Sequence, residues 1–119
     1  AEYNAGNVLS AIEQYEYVAA NDPYHAELWL NWSMVYYDSG DYDKACRVLE
    51  DGLEEIPDDA EMYYRSVVYH IHAGKYKEAF VYLENALTLD FDKHTLLFEF
   101  FTELDIQKAL YKIIDQFKE

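Results

Sequence analysis

Apolar side chains recur every three or four residues along most of this chain, the spacing of an α-helix with one buried face. The clearest stripes comprise Leu28, Trp29, Trp32, Val35 and Tyr36, and then Tyr42, Ala45, Val48, Leu49 and Leu53. Ser39-Gly40-Asp41 separates these stripes, and it is expected to end the first helix because glycine can adopt the left-handed C-cap conformation. Pro57 follows the second stripe and is expected to end the second helix, because proline cannot continue a helix. The pattern predicts an all-α chain of about seven helices arranged as antiparallel pairs.

The segment 26–59 is repeated, 34 residues later, by the segment 60–93. Trp29 corresponds to Tyr63, and small residues such as Gly40 and Ala45 correspond to Gly74 and Ala79. A repeat of this length with two helical halves is typical of an α-solenoid. Gly52 recurs as Ala86, and we expect it to lie where the second helix closely approaches the following unit, which would offset the cost of a helical glycine.

The two ends of the chain follow the repeat less completely. Residues 1–25 match the second helix of a truncated repeat, and residues 94–119 are interpreted as a degenerate repeat that caps a single domain, 1–119. A Thr102–Asp105 capping box predicts the start of the last helix, and Phe98 lies in a short apolar helix before it. The unpaired first helix is expected to expose an apolar edge that an upstream segment or a second copy covers, formed by Val8, Leu9, Ile12 and Tyr15.

Charge restricts the classes of partner. The chain has 24 acidic and 9 basic residues, a formal net charge of −15. Such a field repels phosphate backbones and anionic lipid surfaces, which argues against nucleic acid, including single-stranded RNA, and against membranes. A basic or apolar and aromatic protein or peptide is the expected partner. With neither a signal-peptide pattern nor an apolar run of about 18 residues, we expect a cytoplasmic protein.

No candidate for catalysis, a metal or a cofactor emerges from the motifs. His70 and His72 are two residues apart and point about 200° from each other on a helix, so one ion would not reach both. His70 falls on the packed stripe, where a hydrogen-bonded core histidine is expected. Cys46 is a single cysteine expected to pack in the interior. We therefore predict that the chain is not an enzyme.

With these residues in view, 26–93 resembles two full tetratricopeptide repeats. The residues that carry the resemblance are Trp29, Tyr36, Gly40, Tyr42, Ala45, Leu49, Gly52 and Pro57, then Tyr63, Gly74, Tyr76, Ala79, Leu83 and Ala86, with Gly6, Ala11, Tyr15 and Pro23 from the half-unit. The resemblance implies a right-handed superhelix whose first helices line a concave groove for a peptide or a partner's helix. The implied role is a protein–protein interaction or scaffold module. The alternative is an accessory domain of a larger protein or enzyme whose catalytic part lies elsewhere.

Carried over by register, the resemblance also implies the groove residues. They are Glu27, Leu30, Asn31, Met34, Tyr37, Asp38, Glu61, Tyr64, Arg65, Val68, Ile71, His72 and Phe98. Tyr37, Tyr64 and Phe98 would be the aromatic anchors, because rigid aromatic side chains dominate binding hot spots. The lysines of the family's clamp for acidic peptide tails are missing, so a carboxylate-bearing tail is not the expected ligand.

Overall fold

A computed structural model describes the backbone of residues 5–101 and 104–118 and the side chains of 9–101 and 105–116. The elements are α1 (Ala5–Asn21), α2 (Ala26–Asp38), α3 (Tyr42–Glu55), α4 (Ala60–His72), α5 (Tyr76–Leu89), a 3-10 helix (Phe91–Glu99) and α6 (Leu104–Lys118). No strand occurs among these residues. The molecule measures 45 × 27 × 21 Å, the elongated shape expected when each unit packs only on its neighbours. The predicted all-α solenoid is confirmed.

Glycine makes the turn inside each of the two complete helix pairs. Gly40 and Gly74 have φ of 81° and 78°, which side chains with a Cβ rarely adopt. Past the first turn, Asp41 caps α3 by accepting a hydrogen bond from the Lys44 amide, 3.3 Å away. Asp59 caps α4 in the same way, accepting from the Met62 amide at 3.0 Å. These two caps help to fix where α3 and α4 begin. The Thr102–Asp105 capping box lies largely outside the described residues.

An aromatic side chain at the same place in both repeats reaches back to the end of the preceding unit. The indole Nε1 of Trp29 donates to the Pro23 carbonyl over 2.8 Å. The hydroxyl of Tyr63 donates to the Pro57 carbonyl over 3.1 Å. Both pairs are six residues apart along the chain, and they are related by the 34-residue period. Each hydrogen bond therefore ties the first helix of a unit to the loop before it.

Gly52 allows a close approach, but to a different helix from the one expected. A Cβ built on Gly52 would lie 2.6 Å from Cγ of Trp29 and 2.9 Å from its Cβ and Cδ2. Trp29 is in α2, the first helix of the same unit, so the expectation that the nearest neighbour is the following unit is wrong. The bulk of the indole is the physical reason, since it fills the space that a side chain at position 52 would need.

Helix α4 forms the centre of the core. Met62, Tyr64, Val67, Val68 and Tyr69 are each at most 1 % exposed. His70 is buried as well, with Nδ1 donating to the Ser66 carbonyl at 2.7 Å and the ring 4.7 Å from that of Tyr82. This confirms the expected core histidine. The central position follows from packing, because α4 contacts α2, α3, α5 and the 3-10 helix.

The segment 91–99 is a 3-10 helix where the degenerate repeat would place an α-helix. Its inward-facing residues are spaced by three, with Phe91 and His94 half-buried and Leu97 fully buried. A 3-10 helix has three residues per turn, so this spacing keeps every third side chain on the core. Beyond it, α6 buries Leu110 and Ile114.

The apolar edge of α1 differs from the predicted one. Leu9 is exposed, but Ile12 and Tyr15 are half-buried, and Tyr15 packs against the core cluster. Among the described side chains of α1, the exposed large apolar ones are Leu9, Tyr17 and Val18. The sequence pattern assigns the four predicted residues to one exposed face of α1, whereas in the structure part of that face packs towards α2. The Val8 side chain lies outside the described residues.

Candidate partner-binding groove

The first helices of the two complete units, α2 and α4, enclose an open depression of about 410 Å³. We call it the α2–α4 depression, and it is lined by Glu27, Leu30, Asn31, Met34, Glu61 and Arg65. All six belong to the predicted groove set, and the structure places them around one depression. Leu30 is buried and forms part of the floor, whereas Glu27 and Asn31 are exposed.

Arg65 is held at one wall of this depression by three groups. Its guanidinium lies 4.8 Å from the centre of the Phe100 ring, and Nη1 donates to the Tyr69 hydroxyl at 3.3 Å. Nη2 is 3.9 Å from a carboxylate oxygen of Glu61. The Tyr69 hydroxyl is in turn 3.2 Å from Oγ of Ser33. These contacts fix the cation in place and offset part of its charge, so the depression keeps an excess of carboxylate charge.

Over the second unit, the groove is closed by the segment that ends the 3-10 helix. Only a recess of about 10 Å³ is left there, roughly the room for one water molecule. Its lining comprises Glu61, Tyr64, Arg65, Val68, Leu96, Glu99 and Phe100. Leu96 and Phe100 are groove residues that sequence reasoning missed. Their four-residue spacing is a helical signal, but the 3-10 geometry sets which of the neighbouring side chains face α4.

Tyr64 and Val68 are core residues, and the expectation that they present side chains to a partner is wrong. Each is 1 % exposed. The Tyr64 hydroxyl donates to the Asp90 carbonyl at 2.7 Å, and burial raises the pKa of Tyr64 well above its ordinary value. Tyr64 and Val68 are buried because the 3-10 helix packs directly on this face of α4.

Ile71 and Phe98 are also displaced from the predicted groove. Ile71 lines a separate apolar groove between α4, α5 and α6. The Phe98 ring stacks on that of Tyr111 in α6, with 4.6 Å between centroids. Phe98 thus packs on α6, and Phe100 is the ring that faces Arg65. The register assumed for an α-helix does not hold once the segment winds as a 3-10 helix.

The far end of the groove is an aromatic cluster formed by Tyr37, Tyr42, Tyr69, His72, Phe100 and Phe101. The Tyr37 ring lies 5.0 Å from Tyr69 and 5.8 Å from Phe100, and its hydroxyl is 3.2 Å from Nε2 of His72. Burial raises the pKa of Tyr37 and lowers that of His72. Tyr37 is half-exposed and lies beside the exposed Asp38, so the structure places both at the surface.

Metal-ligating side chains do not converge in groups of three within 5–101 and 104–118. Across the same residues, none of the helices is long and apolar enough to cross a membrane.

Comparison with protein families agrees with this geometry. Two family models, both described as tetratricopeptide repeat, match residues 3–65 and 60–93. No curated protein matched the chain. Tetratricopeptide repeats generally mediate protein–protein interaction or scaffolding. The chain belongs to the tetratricopeptide repeat family.

Proposed function

We propose that this protein is an interaction or scaffold module without enzymatic activity, which binds a peptide or a partner's helix along the α2–α4 depression. The observation that carries the proposal is the composition of that depression. Exposed Glu27 and half-exposed Glu61 lie beside the aliphatic side chains of Leu30 and Met34. A lysine or arginine side chain matches this surface, because its stem is apolar and its head is cationic.

The charge balance supports a basic partner. Arg65 is the basic residue of the lining, and Glu61, Tyr69 and Phe100 already engage it. An incoming carboxylate would meet Glu27 and Glu61 before it met a free cation. Tyr37 and Met34 extend the surface with half-exposed aromatic and thioether groups. The preferred ligand is thus a basic segment that also carries an apolar or aromatic side chain. We place this interaction in the cytoplasm.

A peptide-display selection against the immobilised full chain tests this proposal. Enriched peptides are expected to combine lysine or arginine with an aromatic residue, and their affinity is expected to fall as salt screens the charges. Glu27→Lys should weaken an enriched peptide about tenfold or more, the effect of an introduced like charge. Glu54→Lys, at an exposed position on α3 outside the depression, is the matched control. Equal affinity for both variants would place binding elsewhere and refute the proposal.

A further inference from the structure

A second surface lies at the C-terminal end of the solenoid, away from the α2–α4 depression. An apolar groove of about 230 Å³ separates the α4–α5 pair from α6. We call it the C-terminal groove; Val67, Ile71, Tyr76, Phe80, Leu110 and Ile113 contribute to its lining. Tyr76 is 68 % exposed and Phe80 is 46 % exposed, so large rings at its mouth are in contact with water. Exposed apolar surface of this kind marks an interaction site.

Charge identifies the kind of partner that can approach this groove. Helix α6 carries three lysines and two aspartates, and among the described helices it alone has more basic than acidic residues. Lys108 and Lys112 are exposed, and Lys112 precedes the groove residue Ile113. The whole chain has a net charge of −15, so most of its surface repels a second copy. The exposed ammonium groups of Lys108 and Lys112 offset part of that repulsion on α6.

The opposite end of the same chain offers a complementary helix. Helix α1 contains Glu13 and Glu16 and no basic residue. Among the described side chains of α1, the large apolar ones of Leu9, Tyr17 and Val18 are exposed. An acidic helix with exposed apolar side chains is the chemistry that an apolar groove beside a basic helix would accept.

We propose that α1 of one copy docks in the C-terminal groove of a second copy. The two surfaces differ, so the contact is heterologous and each pair retains one free α1 and one free groove. Association is therefore head-to-tail and open-ended. This interaction does not use the α2–α4 depression, which stays free for a different partner.

Sedimentation velocity over a concentration series tests the interface. The weight-average mass of the wild-type protein is expected to rise above the 14.1 kDa of one chain as concentration increases. Phe80→Asp should weaken association about thirtyfold, as expected for a hot-spot side chain. Val81→Asp is the matched control, because Val81 is the next residue on α5, is 56 % exposed and lies outside the C-terminal groove. Circular dichroism should show that both variants are folded.

Mixing two defective variants tests the head-to-tail geometry directly. Phe80→Asp retains a wild-type α1, and Tyr17→Asp retains a wild-type groove. Each variant alone should be a monomer, whereas an equimolar mixture should give dimers and nothing larger. A wild-type protein that stays monomeric at every concentration would overturn the proposal. So would equal effects of Phe80→Asp and Val81→Asp, or a mixture that forms no dimer.

Discussion

Replacing Gly52 by alanine tests the packing between α2 and α3. Alanine is the better helix former, so an exposed site would gain about 0.5–1 kcal/mol. At this site the new Cβ would lie 2.6 Å from Cγ of Trp29 and 2.9 Å from its Cδ2, so the indole or the helix must move. Overpacking of this kind costs about 1–3 kcal/mol.

Moving the indole has a second cost. Its Nε1 donates to the Pro23 carbonyl at 2.8 Å, and a hydrogen bond of this kind contributes about 0.5–1.5 kcal/mol net. The sum of the three effects predicts that Gly52→Ala lowers the free energy of unfolding by roughly 0.5–4 kcal/mol. Urea unfolding followed by circular dichroism measures this change.

Truncating the indole supplies the control for Gly52→Ala. Trp29→Ala removes Cγ and Cδ2, two of the atoms that a Cβ at position 52 would meet. In the Trp29→Ala background, the further change Gly52→Ala should therefore cost less than about 1 kcal/mol or be stabilising. If Gly52→Ala is as stable as the wild type while Trp29 is intact, the inferred contact between position 52 and the indole is incorrect.

Three further predictions follow from burial and backbone geometry. Tyr64→Ala should reduce the unfolding free energy by about 3–5 kcal/mol, as for a buried aromatic, with the loss of stability in urea as the measurement. Burial raises the pKa of Cys46 to about 12 from an unfolded value of 9.0, so the unfolded state releases its proton first as pH rises. The free energy of unfolding should then fall as pH rises above 9. The fall should be less steep in Cys46→Ala, which lacks the thiol. Gly40→Ala, at φ of 81°, should lower the melting temperature through about 1 kcal/mol of left-handed strain, whereas a wild-type value would argue against that turn.

The solenoid could be predicted from sequence because its information is local and repeated. Gly40 and Gly74 mark turns with positive φ, and the stripes between them have helical spacing. The six residues of the α2–α4 depression were also predictable, because α2 and α4 keep the same register relative to the period. In α2 and α4 the local helical preference of the sequence agrees with the fold around it, so the spacing of residues along the chain predicts which helix face they occupy.

The second half of the groove could not be predicted, because it depends on how the last segment winds. An α-helix and a 3-10 helix differ by only 0.6 residues per turn, yet over eight residues this moves different side chains onto α4. Phe100 thus reaches Arg65 while Phe98 turns to Tyr111. Tyr64 has the amphipathic character of a groove anchor, and only the cover provided by the 3-10 helix makes it a core residue.

The hydrogen bonds from Trp29 to the Pro23 carbonyl and from Tyr63 to the Pro57 carbonyl have a consequence for shape. We expect each hydrogen bond to restrain the tilt between one helix pair and the loop that precedes it. Because these hydrogen bonds recur with the 34-residue period, small changes in their geometry would add up to a change in the curvature of the array. We therefore expect an exchange of one ring for another to change the distance between Glu27 and Glu61 without touching either carboxylate. The charge spacing that the proposed ligand must match would then depend on side chains outside the surface that it contacts.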